Sequence, residues 1–171
     1  MKKAILMLIV IVAAVYFMFI HGGPFKHDIT FQGETYGYAK HMYGGAIDNH
    51  FYTPGGVDFN KAMAFIQILE FDDGIPKSKW LSSLTPLLNR YKLRPVGEDG
   101  FELAGKSQMA RFYYKSYAAP ITVDDMDCMA IYITGSHEKP DEDSGDEIVE
   151  IIDALKSMRF EYYGICRNCT K

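Results

Sequence analysis

An uninterrupted apolar run near the amino terminus constrains this chain more than any other sequence feature. Residues 4–20 contain no charge, no glycine and no proline, and they follow Met1, Lys2 and Lys3. A helix rises about 1.5 Å per residue, so the run reaches ~25 Å, the short end of a membrane span. A helix that is apolar all round needs a large core to surround it, and the run therefore predicts a membrane segment instead.

Two interpretations of this segment stay open, an uncleaved anchor and a cleaved secretory signal. The apolar run exceeds the ~7–15 residues of a signal-peptide core. Residues 21–24, His-Gly-Gly-Pro, do not match a small-residue cleavage site. We therefore expect an anchor. In both interpretations Lys2 and Lys3 stay on the cytoplasmic side, and the rest of the chain is translocated.

The expected location is therefore the extracytoplasmic, periplasmic side of a membrane, to which the anchor holds the domain. If the segment is cleaved, the domain is secreted to the periplasm. About 150 residues remain, enough for one domain with a sizeable core. We assign 1–22 to the anchor or signal, 23–27 to a linker, 28–163 to the domain and 164–171 to a C-terminal tail that carries a C-x-x-C pair.

Seven segments of the domain have strand character, from alternation or from β-branched and aromatic content. Residues 62–71 are apolar on both faces, which predicts a central strand. Residues 101–104 and 107–117 predict a hairpin that turns at Gly105-Lys106. The remaining predicted strands are 28–38, 49–53, 126–134 and 158–163.

Two segments have helical periodicity. The first is 77–91, which Pro86 interrupts. The second is 147–158, where Ser144 and Glu147 have the spacing of a capping box. Runs of strands broken by two helices predict an α+β fold, an antiparallel sheet with two main helices packed on it.

One stretch of sequence resembles a known fold family. The turn Tyr-Thr-Pro-Gly-Gly at 52–56 is followed by the polar segment 58–61 and then by the long strand that ends at Phe71. With the amphipathic helix 147–158, this order resembles the Mog1/PsbP-like fold over about 28–163. The resemblance implies a non-enzymatic binding or assembly role.

Three cysteines, Cys128, Cys166 and Cys169, are the candidates for disulfide or redox chemistry. The C-x-x-C pair at Cys166 and Cys169 lacks the following helix that lowers a thiol pKa in thioredoxin-like proteins. One such pair supplies only half of a structural zinc site. Two interpretations of Cys128 stay open, a buried free thiol and a bridge to the tail.

No other motif predicts a catalytic, cofactor or metal site. No two histidines have H-x-x-x-H spacing on a predicted helix, and the acidic segments 124–127 and 141–146 predict solvated turns. The sequence has no G-x-S-x-G motif and no phosphate-binding glycine loop. The histidines are His21, His27, His41, His50 and His137.

These features favour a membrane-tethered extracytoplasmic binding or assembly domain, non-enzymatic and without a cofactor. The net charge is −4 and no basic stripe is visible, so we expect no nucleic-acid partner. The expected partners are the membrane, through the N-terminal helix, and another protein. The alternative is a thiol–disulfide or metal-handling envelope protein that uses the C-x-x-C pair.

Overall fold

The computed structural model describes residues 27–43, 47–71, 92–95, 103–109, 112–141, 143–162 and 165–166. The anchor segment and the predicted helix at 77–91 lie outside these residues. Within them are ten strands, one 3-10 helix and one α-helix. The strands are β1 (Ile29–Phe31), β2 (Glu34–Tyr43), β3 (Ile47–Pro54), β4 (Ala64–Phe71), β5 (Lys92–Pro95), β6 (Leu103–Met109), β7 (Phe112–Val123), β8 (Met126–Ser136), β9 (Arg159–Tyr162) and β10 (Ile165–Cys166); the 3-10 helix is Phe59–Lys61 and α1 is Gly145–Lys156.

The strands form one antiparallel sheet in the order β10-β9-β1-β2-β3-β4-β8-β7-β6-β5, curled into a half-barrel. The antiparallel sheet of the α+β prediction is confirmed. The described part of the chain is mostly β and contains one α-helix, and the second predicted helix, 77–91, stays a prediction because it lies outside the described residues. The predicted central strand is β4, which lies between β3 and β8.

The predicted hairpin turn at Gly105-Lys106 is wrong. Gly105 lies inside β6, where it pairs with Leu93 of β5 and with Ser116 of β7. The end of the β6–β7 pair is Met109 opposite Phe112. A glycine inside a strand lacks a side chain to pack, but pairing on both sides holds its backbone extended. Strand pairing therefore decides the backbone conformation of Gly105, although glycine by itself favours a turn.

The predicted strand 28–38 is two strands joined by a tight turn. Gln32 and Gly33 both have positive φ, 50° and 80°, and Phe31 pairs with Glu34 across them. Two left-handed residues between paired strands make the turn whose twist matches that of a hairpin. Asp124 and Asp125 form the same kind of turn between β7 and β8.

Helix α1 packs against β7 and β8 and defines the inner face of the sheet. Ser144 is its N-cap, and the Ser144 hydroxyl accepts a hydrogen bond of 3.1 Å from the Glu147 backbone N–H. The predicted capping residues are therefore confirmed. Ile152 and Leu155 of the helix are buried in the inner-face core. The sheet residues of this core include Tyr36, Tyr52, Ile66, Ile68, Tyr117, Ala119, Ile121, Cys128 and Ala130.

A buried acidic residue fastens the start of α1 to β7. The Asp143 carboxylate pairs with the Lys115 ammonium through one oxygen. Its other oxygen accepts a hydrogen bond of 2.6 Å from the Tyr117 hydroxyl. The Asp143 side chain is only 7 % exposed, so these contacts compensate the cost of burying its charge.

We predict that Asp143→Ala lowers the free energy of unfolding by about 2–3 kcal/mol, because Lys115 and the buried Tyr117 hydroxyl lose a charged partner. Denaturant titration of the domain measures the loss. Glu150→Ala removes the same charge from an exposed position of α1 and is expected to change stability by less than about 0.5 kcal/mol. Equal effects of the two substitutions would contradict the fastening role.

Three core tyrosines predict instability at high pH. Burial raises the pKa values of Tyr36, Tyr52 and Tyr117 far above the ordinary 10.0. Above about pH 10 the unfolded chain releases these protons and the folded chain keeps them, so stability falls as pH rises, by about 1.4 kcal/mol per pH unit for each tyrosine. Circular dichroism and tyrosinate absorbance, followed together, are expected to show these tyrosines ionising only as the domain unfolds. Their ionisation in the folded domain would contradict the prediction.

Candidate functional site

The inner face changes from apolar to polar at one end of β2, β3 and β4. Strand alternation places Tyr52, His50 and Asp48 in sequence along the inner side of β3. His50 lies between His41 of β2 and Ile68 of β4. Two residues further on, Asp48 lies between Tyr43 and Glu70. We call His41, Asp48, His50 and Glu70 the polar cluster.

The side chains of the polar cluster are in direct contact. The His41 and His50 rings stack, with centroids 4.9 Å apart and planes 17° from parallel. His50 Nε2 lies 3.3 Å from Glu70 Oε2 in hydrogen-bond geometry. His41 Nε2 lies 3.2 Å from Asp48 Oδ1, yet in the described part of the chain this buried oxygen accepts no hydrogen bond. At this distance His41 and Asp48 form an ion pair whenever the imidazole is protonated.

Burial determines the charge of His50. Its side chain is 9 % exposed, against 44 % for His41 and 32 % for Asp48. Desolvation, followed by the charge of His41, lowers the pKa of His50 to about 4, and Asp48 partly opposes this shift. Near neutral pH the imidazole is therefore uncharged, and its contact with Glu70 is a hydrogen bond from Nε2–H to the carboxylate rather than an ion pair.

The polar cluster brings together groups that donate electron pairs. The coordinating atoms of His41, Asp48 and His50 all lie within 4.8 Å of one another. Two imidazoles and a carboxylate form a donor set that suits first-row divalent cations. His41 and Asp48 are partly open to solvent while His50 is buried, so the cluster is reached from outside and has a closed base.

Sequence reasoning missed this site because it searched for histidines at helical spacing. His41 and His50 are nine positions apart, but they lie on facing strands, in direct register. The glycines Gly44-Gly45 predict a break between two strands but not their register. A hairpin centred on these two glycines would pair His41 with Asp48, whereas the observed pairs, His41 with His50 and Tyr43 with Asp48, are centred between positions 45 and 46.

A second concavity lies beside the turn that follows β3. It has a volume of about 400 Å³. The backbone N–H groups of Gly55 and Gly56 are already used, in bonds of 2.9 Å to Thr35 O and 3.0 Å to Thr53 O. They are therefore not available to bind an anion. The concavity is lined by Asp28, Thr35, Gly37, Tyr38, Gly55 and Gly56.

The structure describes two of the three sequence-predicted cysteines and places them on different strands. Cys128 is a free thiol, 0 % exposed, on the inner side of β8 and in register with Glu70. Cys166 belongs to β10, which pairs with β9 and continues the sheet into the predicted tail. Cys169 lies outside the described residues, so a C-x-x-C disulfide stays a prediction.

Burial makes Cys128 a poor nucleophile. Desolvation, followed by the negative charges of Glu70 and Asp127, raises the pKa of its thiol to about 12. The thiolate is the reactive form of cysteine, and near neutral pH very little of it is present.

We therefore predict that Cys128 resists alkylation in the folded protein. In a chain with Cys166→Ser and Cys169→Ser, iodoacetamide is expected to label Cys128 at least about 100-fold more slowly before denaturation than after it, because both access and thiolate are lacking. Intact mass measured over time gives the two rates. Fast labelling of the folded chain would show that this thiol is accessible.

Searches of protein-family models, of curated proteins and of solved structures find no match to this chain. The resemblance to the Mog1/PsbP-like fold therefore stays a prediction.

Proposed function

We propose that this chain is a membrane-tethered extracytoplasmic domain that binds a partner through the polar cluster and its rim, without catalysis. The tether rests on the sequence of residues 1–20, in which two lysines precede a long apolar run. Within the described residues, no helix is long and apolar enough to cross a membrane.

The observation that carries the binding proposal is the placement of His50. Its neighbours along the inner face, Tyr52 and Ile68, are fully buried core residues. An aliphatic side chain at position 50 would continue that core, whereas a buried imidazole has a desolvation cost that hydrogen bonding must offset. Because the fold alone does not require the imidazole, its burial beside two carboxylates favours a binding role.

Solvent exposure supports a binding surface at the rim of the cluster. Tyr43, opposite Asp48 in the ladder, is 73 % exposed. An exposed aromatic side chain beside a partly buried polar site suits contact with another protein, since aromatic residues are enriched in protein interfaces.

The thiol next to the polar cluster gives no support to covalent catalysis. Cys128 is the thiol in register with Glu70, and its proton is held well above neutral pH. Covalent catalysis needs a nucleophile that an adjacent base activates, and this thiol is not prepared for that role. The alternative that uses Cys166 and Cys169 stays a prediction, because the side chains of this pair lie outside the described residues.

Fractionation tests the tether. We expect the full chain to stay in the membrane pellet after carbonate extraction, and its intact mass to include Met1–Ile20, because seventeen apolar residues bury enough surface to hold it. A soluble product that begins beyond residue 20 would show cleavage and remove the tether from the proposal.

Photo-crosslinking in intact membranes tests the binding surface. A photoreactive phenylalanine at position 43 is expected to give a discrete crosslinked species, at least ~5-fold weaker when Asp48→Ala removes a central group of the cluster. The matched control places the same photoreactive residue at Val149, which is 50 % exposed on α1. The same products from both positions, or none from position 43, would contradict binding at the rim.

A further inference from the structure

We propose that His41, Asp48 and His50 form a binding site for a divalent transition-metal ion of the Zn²⁺ class, with Glu70 as the group that orients His50. This inference deepens the proposed binding role of the polar cluster and rests on it. The types of ligand atom indicate which class of metal ion would bind. Imidazole nitrogen suits Zn²⁺, Cu²⁺ and Ni²⁺, whereas Ca²⁺ and Mg²⁺ need several oxygen ligands.

The separations of the donor atoms suit a tetrahedral ion. Metal–ligand distances of ~2.0–2.1 Å in tetrahedral geometry place neighbouring donors about 3.3 Å apart. His41 Nε2 and Asp48 Oδ1 are already 3.2 Å apart. The donor atoms of all three residues lie within 4.8 Å, so at most ~1.5 Å of side-chain movement completes the set by this measure.

The Glu70 contact supplies the second shell of such a site. A metal-binding histidine usually donates its other ring N–H to a carboxylate, which fixes the tautomer and the ring orientation. The contact of 3.3 Å between His50 Nε2 and Glu70 Oε2 has this form. With the proton on Nε2, His50 would bind an ion through Nδ1. Glu70 therefore acts through His50 and is a positioning residue.

The backbone holds the site in place without a metal. His41 and His50 are cross-strand neighbours in the β2–β3 ladder, and His50 is also in register with Ile68 of β4. Strand pairing fixes these Cα positions, so an ion has to order only side chains. The buried Tyr52 and Ile68 form an apolar base, and an apolar shell strengthens the attraction between a cation and the Asp48 carboxylate.

The oxygen of Asp48 is an independent observation that favours a ligand. Asp48 Oδ1 is inaccessible to solvent and, within the described residues, accepts no hydrogen bond. Buried polar atoms nearly always have a partner, since leaving one without costs about 1–3 kcal/mol. A cation between this oxygen and the imidazoles would supply that partner. Three protein ligands also leave a fourth position for water or for a donor group on a partner.

Metal titration of the full chain in detergent tests the site. The chain carries Cys166→Ser and Cys169→Ser, so that the C-x-x-C pair cannot bind the probe, and it is first stripped with a chelator. Competition against a chromophoric chelator is expected to show one Zn²⁺ bound per chain and no measurable Ca²⁺ or Mg²⁺ binding. Co²⁺ is expected to give the intense visible absorption of a tetrahedral site. Absence of Zn²⁺ binding would overturn the inference.

Substitutions assign the ligands. His41→Ala is expected to weaken Zn²⁺ binding at least ~100-fold, and this ring is exposed enough for the fold to tolerate its loss. Asp48→Asn is expected to act similarly, and Glu70→Gln to weaken binding ~10-fold. The matched control is His137→Ala, an exposed histidine on the loop after β8, with no expected change. Unchanged affinity in His41→Ala, or equal losses in His41→Ala and His137→Ala, would overturn the assignment.

Circular dichroism first establishes whether the His50→Ala variant folds, because position 50 belongs to the core. A variant that folds and still binds Zn²⁺ fully would overturn the role of His50.

Crosslinking from position 43, repeated with and without Zn²⁺, separates this inference from the proposed function. Crosslinking without any Zn²⁺ binding would overturn the metal site alone. Zn²⁺ binding without crosslinking would overturn the partner proposal alone.

Discussion

The site depends on one irregularity in the pairing of β2 with β3. Tyr38 pairs with Tyr52, but the next recorded pair is Lys40 with Phe51, so β2 contains one extra residue at this point. A bulge of this kind reverses which side chains of a strand point to each face. Regular alternation from Tyr38 would direct Lys40 and Met42 inward. The bulge directs His41 and Tyr43 inward instead, and it leaves the Lys40 ammonium 5.6 Å from the Phe59 ring on the other face.

The bulge also explains why the core and the polar cluster adjoin each other. Before it, Tyr36 and Tyr38 pack with the aromatic inner face, where Tyr38 meets the Tyr52 ring at 5.6 Å. After it, the same strand contributes His41, which stacks on His50. Strand β2 therefore supplies tyrosine side chains to the core and the His41 imidazole to the polar cluster. A strand without the extra residue would bring Lys40 to the position opposite the buried His50, where the ammonium group would be costly to desolvate.

How far the sequence predicts this structure depends on whether a signal is local. The N-cap at Ser144 is local, since its hydroxyl and the Glu147 amide are three residues apart, and the prediction was right. Strand β4 was predicted from a continuous apolar run. The turn at Gly105-Lys106 was predicted wrongly, because strand pairing on both sides decides the conformation of that segment. The bulge in β2 has no signal in its own residues either, since it exists only relative to β3.

A metal ion bound at the polar cluster would offset the stability that its buried polar groups cost the fold. Without an ion, the buried His50 and the Asp48 oxygen, which accepts no hydrogen bond within the described residues, would stabilise this end of the β2–β3 ladder less than an aliphatic core does. An ion that binds only the folded chain stabilises it by RT ln(1 + [L]/Kd), about 2.7 kcal/mol at a concentration 100 times Kd. That gain is comparable with the cost of one buried polar atom that lacks a partner. A bound ion would therefore offset most of the stability that the polar cluster costs at the end of the ladder next to Tyr43.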